Sequence, residues 1–203
     1  AALASAIRYL VTCDLPLRDS DWDIDYVWTS LYGFVSGVEL LGDARLAEGG
    51  ALGELRAALM GRTRRFLDVL LVHQAATGGW AYYDDPHFDR QPTWATSFCT
   101  ALVLPSLAAA GRQGIEVPAR AIERARRYVE RCALPNGAYT YDLDPIPRVR
   151  GVEHINLIEG SLGRTQVANW ARRCLGAARV TDDVIREGLE ELFRHHGYLD
   201  HVR

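Results

Sequence analysis

Four acidic residues in two aromatic-rich loops are the strongest candidates for chemistry. Asp84 and Asp85 follow a Tyr-Tyr pair, and Asp142 and Asp144 follow a Tyr-Thr-Tyr segment. A carboxyl group in an apolar pocket keeps its proton and can act as a general acid, while a neighbouring carboxylate acts as a base. We therefore predict that these four carboxyl groups are the catalytic residues.

Aromatic and polar side chains near the predicted helix ends are candidates for substrate binding. Aromatic faces contact an apolar ligand or shield a cation, and a guanidinium at a helix N-terminus binds an anionic group. For Trp28 and Trp94, packing in the core is the alternative role. For the amides of Gln166 and Asn169, a buried hydrogen-bond network is the alternative. The predicted substrate-binding residues are Trp28, Tyr82, Tyr83, Trp94, Tyr139, Tyr141, Arg164, Gln166 and Asn169.

Neither a metal site nor a cofactor is predicted. The cysteines at positions 13, 99, 132 and 174 lack metal-ligand spacing, and each falls in an apolar helical pattern. We therefore expect buried, reduced thiols. Asp84-Asp85 lacks the further acids of an Asp-rich magnesium site, so Mg²⁺ is compatible with this pair but is not predicted.

Composition and net charge indicate which classes of binding partner to expect. The chain has 203 residues, of which 48% are hydrophobic, and its net charge is −3. This balance argues against a nucleic-acid partner. No apolar run reaches the length of a transmembrane helix, and no signal-peptide pattern is present, so we expect a cytoplasmic protein. Peripheral membrane contact stays open, and the sequence makes no prediction of oligomeric state.

Hydrophobic periodicity predicts helices of two alternating kinds. Residues 26–41 and 94–110 are apolar on nearly every side, which is typical of buried helices. Residues 51–73 and 118–133 have one apolar stripe, which is typical of surface helices, and Arg62 falls on the polar side of the first of these. The other predicted helices cover residues 3–12, 164–178 and 181–197.

The same helix–loop–helix unit recurs along the chain. The loop at residues 135–142 (Pro-Asn-Gly-Ala-Tyr-Thr-Tyr-Asp) echoes the loop at residues 77–84 (Thr-Gly-Gly-Trp-Ala-Tyr-Tyr-Asp). Strict alternation of the two helix kinds predicts apolar helices inside and amphipathic helices outside. We predict a single domain over residues 1–203, made of hairpin repeats. A closed ring would need more chain than these residues supply, so we expect either an incomplete ring or a truncated chain. The predicted units cover residues 3–50, 51–111 and 117–178, with a half unit at 181–203.

One segment carries a family resemblance. Gln74-x-x-x-Gly78-x-Trp80 resembles the QW repeat of squalene and oxidosqualene cyclases. With its echo at Pro135–Tyr139, the chain resembles the prenyltransferase and squalene-hopene cyclase-like repeat superfamily over nearly its whole length. The echo has proline and tyrosine where Gln and Trp would recur. The resemblance implies an all-α, α/α-toroid fold with a central cavity. It also implies structural roles for Gln74, Gly78 and Trp80, with the amide capping a helix end and stacking on the indole.

The same resemblance implies a function. It suggests a terpene-cyclase-like or prenyltransferase-like protein that acts on or binds a hydrophobic small molecule between its inner helices. The Asp-x-Asp-Asp acid motif of terpene cyclases is absent, because Pro145 follows Asp142-Leu143-Asp144 where the last acid would stand. Two alternatives remain open. One is a carbohydrate-active (α/α) barrel enzyme with paired carboxylates, and the other is a non-catalytic helical-repeat interaction module.

Overall fold

The fold is all-α, as predicted. The computed structural model describes residues 2–15, 25–82, 92–143 and 153–201. Across these residues the chain forms α-helices, short 3₁₀ turns and two isolated bridges, Trp80–Thr96 and Ala133–Tyr139, and it forms no strand. The division into repeat units and the closure of a ring stay predictions.

The described residues form seven α-helices, separated by loops and 3₁₀ turns. In chain order they are α1 (Ala2–Thr12), α2 (Asp25–Leu41), α3 (Arg56–His73), α4 (Ser97–Ala109), α5 (Ala119–Arg131), α6 (Leu162–Cys174) and α7 (Asp182–Arg194). The 3₁₀ turns are Ala44–Leu46, Gly53–Leu55, Ala110–Gln113, Glu153–Asn156, Glu159–Ser161 and His196–His201.

The apolar helix α4 lies at the centre of the packing. It packs against α2, α5 and α6. Most of its side chains are buried, including Leu104 and Leu107. Helix α3 packs on α2 and α1, and α7 packs on α6. The predicted layer of apolar inner helices stays a prediction; α6 carries several polar residues, and its Trp170 is 44% exposed.

Two glycines of α2 allow a close approach of α3. A Cβ atom at Gly33 would lie 2.5 Å from the Phe66 ring, and one at Gly37 would overlap Thr63. Phe66 is fully buried in the space that the first glycine leaves. Small residues at this spacing share one helix face, so side chains of α3 reach the backbone of α2.

Several predicted helix boundaries were wrong by a few residues. Helix α3 begins at Arg56 rather than at residue 51, after the 3₁₀ turn Gly53–Leu55, and α7 ends at Arg194 rather than at residue 197. Helix α4 begins at Ser97 rather than at residue 94, because the backbone N–H of Thr96 donates to Trp80 O (2.9 Å) and the Thr96 side chain caps the helix by accepting from Cys99 N. Helix α6 ends at Cys174 rather than at residue 178, because Gly176 adopts a φ of 74°. Glycine in this left-handed conformation commonly ends a helix.

The prediction that Arg62 faces solvent was wrong. Its side chain is buried, with its guanidinium 4.8 Å from the centroid of the Phe66 ring. It donates a hydrogen bond to the carbonyl oxygen of Cys13, just beyond the end of α1. The aliphatic part of an arginine side chain can pack on apolar surface while its guanidinium donates to a nearby oxygen. Helical periodicity counts arginine as polar and therefore does not predict this burial.

The thiols are free, but not all of them are buried. Cys99 and Cys132 are buried, and this burial raises the pKa of their thiols to about 12 and about 11. Contrary to prediction, Cys174 is exposed and Cys13 is only partly buried. In the part of the chain that the structure describes, no helix is both long enough and apolar enough to cross a membrane.

Candidate ligand-binding cleft

The two echoing loops adopt the same backbone turn. In the first, Ala75 N donates to Gly79 O (2.8 Å) and Gly78 N donates to Ala75 O (2.9 Å). In the second, Leu134 N donates to Ala138 O (2.9 Å) and Gly137 N donates to Leu134 O (3.1 Å). The two glycines have φ angles of 109° and 86°. The sequence echo therefore corresponds to a repeated structural element.

The two turn glycines should differ in tolerance to a side chain. A Cβ atom at Gly137 meets nothing within 4 Å, whereas one at Gly78 would lie 2.7 Å from Arg124 O on α5. Gly137→Ala should lower the free energy of unfolding by about 1–2 kcal/mol, through its left-handed conformation alone. Gly78→Ala adds a backbone clash and should cost about 2–5 kcal/mol. Urea denaturation measures both values, and equal losses would contradict the close packing of this loop on α5.

The predicted structural residues fasten this loop between two helices. The Gln74 amide is buried and donates to Gly78 O (2.7 Å) and to Ala121 O on α5 (2.9 Å). Trp80 is fully buried, and its indole N–H donates to Leu70 O near the end of α3 (2.7 Å). The indole therefore makes the helix-end hydrogen bond that the resemblance implied for the amide.

Equivalent tyrosines of the two loops meet at the start of α4. The hydroxyl oxygens of Tyr82 and Tyr141 are 2.6 Å apart, although the residues are 59 positions apart in sequence. The second loop is held there because the backbone N–H of Ser97 donates to Tyr141 O (2.9 Å) and the Ser97 hydroxyl donates to Thr140 O (2.6 Å). The loops thus bring two predicted binding residues together.

An aromatic cluster surrounds these tyrosines. The ring centroid of Tyr82 lies 6.2 Å from that of Trp28, 5.6 Å from that of Trp94 and 5.9 Å from that of Phe98. Phe98 also lies 5.5 Å from Tyr141. All five side chains are partly exposed rather than buried. Of the predicted binding residues, the structure thus groups Trp28, Tyr82, Trp94 and Tyr141.

A cleft of about 370 Å³ opens beside this cluster, where α2, α4 and α6 come together. Its floor and walls are mostly apolar, and Tyr32 at its edge is 54% exposed. None of the residues lining it, so far as the structure describes them, is acidic. The lining residues are Trp28, Tyr32, Phe98, Leu102, Gly163, Arg164 and Val167.

Arg164 is the one charged residue among those lining residues. Its Nε donates to Tyr139 O (3.3 Å), one Nη donates to Ile155 O, and its guanidinium lies 5.6 Å from the centroid of the Tyr141 ring. No carboxylate of the described residues pairs with it. Burial lowers its pKa to about 10, so the guanidinium still carries its charge at neutral pH. An unpaired, partly buried cation at the cleft is suited to an anionic group.

Three predicted binding residues lie away from the cleft. Tyr139 is buried, and its hydroxyl donates to Asn169 Oδ1 (2.8 Å). Burial raises the pKa of Tyr139, while Arg172 at 2.8 Å opposes the rise. Gln166 and Asn169 line a different cavity, between α6 and α7. The roles proposed for these residues in ligand binding stay predictions.

The predicted catalytic acids are described only in part. Asp84, Asp85 and Asp144, together with Tyr83, lie outside the described residues. Asp142 is partly buried, and its backbone oxygen lies 3.9 Å from Cys132 Sγ. Among the residues that the structure covers, no group of three or more His, Cys, Asp or Glu side chains is placed to hold a metal ion. The catalytic roles of the four acids stay predictions.

Several residues that line the cleft are absent from the predicted set: Tyr32, Phe98, Leu102, Gly163 and Val167. Helical spacing could have identified most of them. Tyr32 lies four residues after Trp28, and Leu102 lies four residues after Phe98, so each pair shares one helix face.

No family model matches this chain. No curated protein matches it either. Two solved structures of native α-2-macroglobulin from Escherichia coli are similar to it. The first spans domain MG7 to the C-terminus, with a TM-score of 0.49, 18% identity, and coverage of 93% of this chain and 31% of that chain. The second is a cryo-EM reconstruction, with a TM-score of 0.47, 18% identity and coverage of 93% and 12%. This chain thus spans less than a third of either protein, and similarity at this level carries no argument about function.

Proposed function

We propose that this protein is terpene-cyclase-like or prenyltransferase-like, and that it binds a hydrophobic small molecule with an anionic group in the aromatic cleft. The observation that carries the proposal is the combination of a partly exposed aromatic cluster with the unpaired guanidinium of Arg164. An isoprenoid diphosphate has both matching parts, an apolar branched tail and a compact anionic head.

The lining favours an apolar tail over a sugar. Trp28, Phe98 and Leu102 present rings and methyl groups, and burial of such surface contributes about 25 cal/mol per Å². A glycoside hydrolase cleft needs two carboxylates on either side of the scissile bond. The described lining residues are mostly apolar, which supports a hydrophobic ligand.

The head group is suited to the start of α6. Arg164 lies in the first turn of this helix, where the helix dipole also favours negative charge. Its partners in the described chain are backbone carbonyls and the Tyr141 ring, and none of these described partners carries a negative charge. Charge-assisted hydrogen bonds to phosphate oxygens are roughly twice as strong as neutral ones.

Blocking the cleft tests the proposal. Gly163 lies in α6 at the cleft, is exposed, and has open space around the position of a Cβ atom. Gly163→Trp should therefore fill the cleft without disturbing the fold. We expect it to weaken farnesyl diphosphate binding at least about tenfold, which corresponds to about 1.4 kcal/mol. Isothermal titration calorimetry measures the affinity.

Gly61→Trp is the matched control. Gly61 is also an exposed helical glycine with open space around it, but it lies on α3, away from the cleft. Its affinity for farnesyl diphosphate should equal that of the unmodified protein. The proposal is wrong if the unmodified protein does not bind this ligand, or if the two tryptophan variants bind it equally well.

A further inference from the structure

A second cavity, of about 220 Å³, lies between α6, α7 and the turn of the second loop. This volume equals roughly seven water molecules at liquid density. It belongs to none of the features on which the proposed function rests. Its lining is mixed, with apolar side chains such as Leu162 and Val184 beside amides and carboxylates of Asn169, Gln166 and Glu187.

A hydrogen-bond chain fixes the orientation of the Asn169 amide. Arg172 Nη1 donates to the Tyr139 hydroxyl (2.8 Å), and arginine cannot accept a hydrogen bond in return. The hydroxyl proton is therefore donated to Asn169 Oδ1 (2.8 Å). Because Asn169 Oδ1 accepts from Tyr139, the amide nitrogen Nδ2 points away from the Tyr139 hydroxyl.

That nitrogen is available to a ligand in the cavity. Asn169 lines the cavity, and its Nδ2 makes no hydrogen bond to the described residues. A methyl group at Gly188 on α7 would lie 3.5 Å from this nitrogen and 3.1 Å from Gln166 Oε1. Gln166 Nε2 is bound to Gly188 O (2.7 Å), so its oxygen faces the same space. A donor and an acceptor thus meet at one wall of the cavity.

The charge at this cavity is negative. Glu187 and Glu191 line it, one turn apart on α7, and no lysine or arginine is among its described lining residues. Glu191 pairs with Arg194 and lies 3.1 Å from His195 Nε2. Glu187 has no ion pair within the described part of the chain. Glu187 is exposed, and its carboxylate is available to a ligand with a positive charge.

We propose that this cavity binds a small organic ammonium compound that carries a hydroxyl group on a compact apolar skeleton. The ammonium pairs with Glu187, and the skeleton contacts Leu162 and Val184. The hydroxyl accepts from Asn169 Nδ2 and donates to Gln166 Oε1, so both amide groups gain a hydrogen bond.

trans-4-Aminocyclohexanol is a suitable probe, and cyclohexanol is its analogue without the ammonium. Two-dimensional NMR of ¹⁵N-labelled protein gives the affinities, and we expect the side-chain amide signals of Asn169 to shift on titration. Glu187→Gln should weaken the amino alcohol about fivefold, as for an exposed ion pair, and should leave cyclohexanol unchanged. Glu190→Gln, on an exposed neighbouring residue of α7, should change neither.

Two results would overturn this proposal. One is an Asn169 amide signal that does not move at millimolar amino alcohol. The other is an equal response of the Glu187 and Glu190 variants. Because farnesyl diphosphate binding at the aromatic cleft is measured separately, failure here leaves the proposed function untouched.

Discussion

Trp80→Ala is expected to lower the free energy of unfolding by about 3–5 kcal/mol, as for other fully buried aromatic residues. The indole is 0% exposed, and its N–H donates to Leu70 O (2.7 Å). Trp80→Phe keeps most of the packing but leaves that carbonyl without its donor, which should cost about 1–3 kcal/mol. Urea denaturation followed by circular dichroism measures both changes.

The control for this prediction is Trp170→Ala. Trp170 lies on α6 and is 44% exposed, so its removal should change stability by much less, about 1 kcal/mol or below. If the two alanine variants lose the same stability, the first loop does not fasten α3 in the way that the hydrogen bonds indicate.

Arg164→Met is expected to weaken farnesyl diphosphate binding by about ten- to a hundredfold, while farnesol binding stays nearly unchanged. Loss of a hydrogen bond to a charged group costs about 1.5–3 kcal/mol, which corresponds to this range. Methionine retains much of the side-chain volume, so the apolar wall of the cleft is preserved. Calorimetric titration with the diphosphate and the alcohol separates the head-group contribution from that of the tail.

Arg173→Met is the matched control on the same helix. Arg173 is half exposed and pairs with Asp182 at the surface, at 2.7 Å. Its replacement should leave both affinities unchanged. Equal weakening of diphosphate and alcohol in the Arg164 variant would show that this residue acts through packing rather than charge.

The sequence predicted the helices and the repeated turn because both depend on local patterns. Apolar periodicity identified α2 and α4, and the glycines at positions 78 and 137 marked turns that need a left-handed backbone conformation. The boundaries were less accurate, since Thr96 and Gly176 set them through capping and a turn rather than through hydrophobicity.

The candidate site was only partly predictable, because its composition depends on contacts between distant segments. Tyr82 and Tyr141 were identified from the echo, but their 2.6 Å hydroxyl contact requires the second loop to cross the start of α4. Tyr139 follows the same echo, yet it is buried beside Asn169. The sequence pattern predicts the same role for Tyr139 and Tyr141, whereas in the fold their side chains contact different residues.

The bonds from the first loop to α5 bear on how this protein unfolds. Gln74 donates to Ala121 O, and Arg124 returns the contact by donating to Ala75 O (2.7 Å). The loop after α3 therefore cannot separate from α5 without breaking these hydrogen bonds. The stability of α3 and that of α5 are coupled at this junction, so we expect the two helices to unfold together.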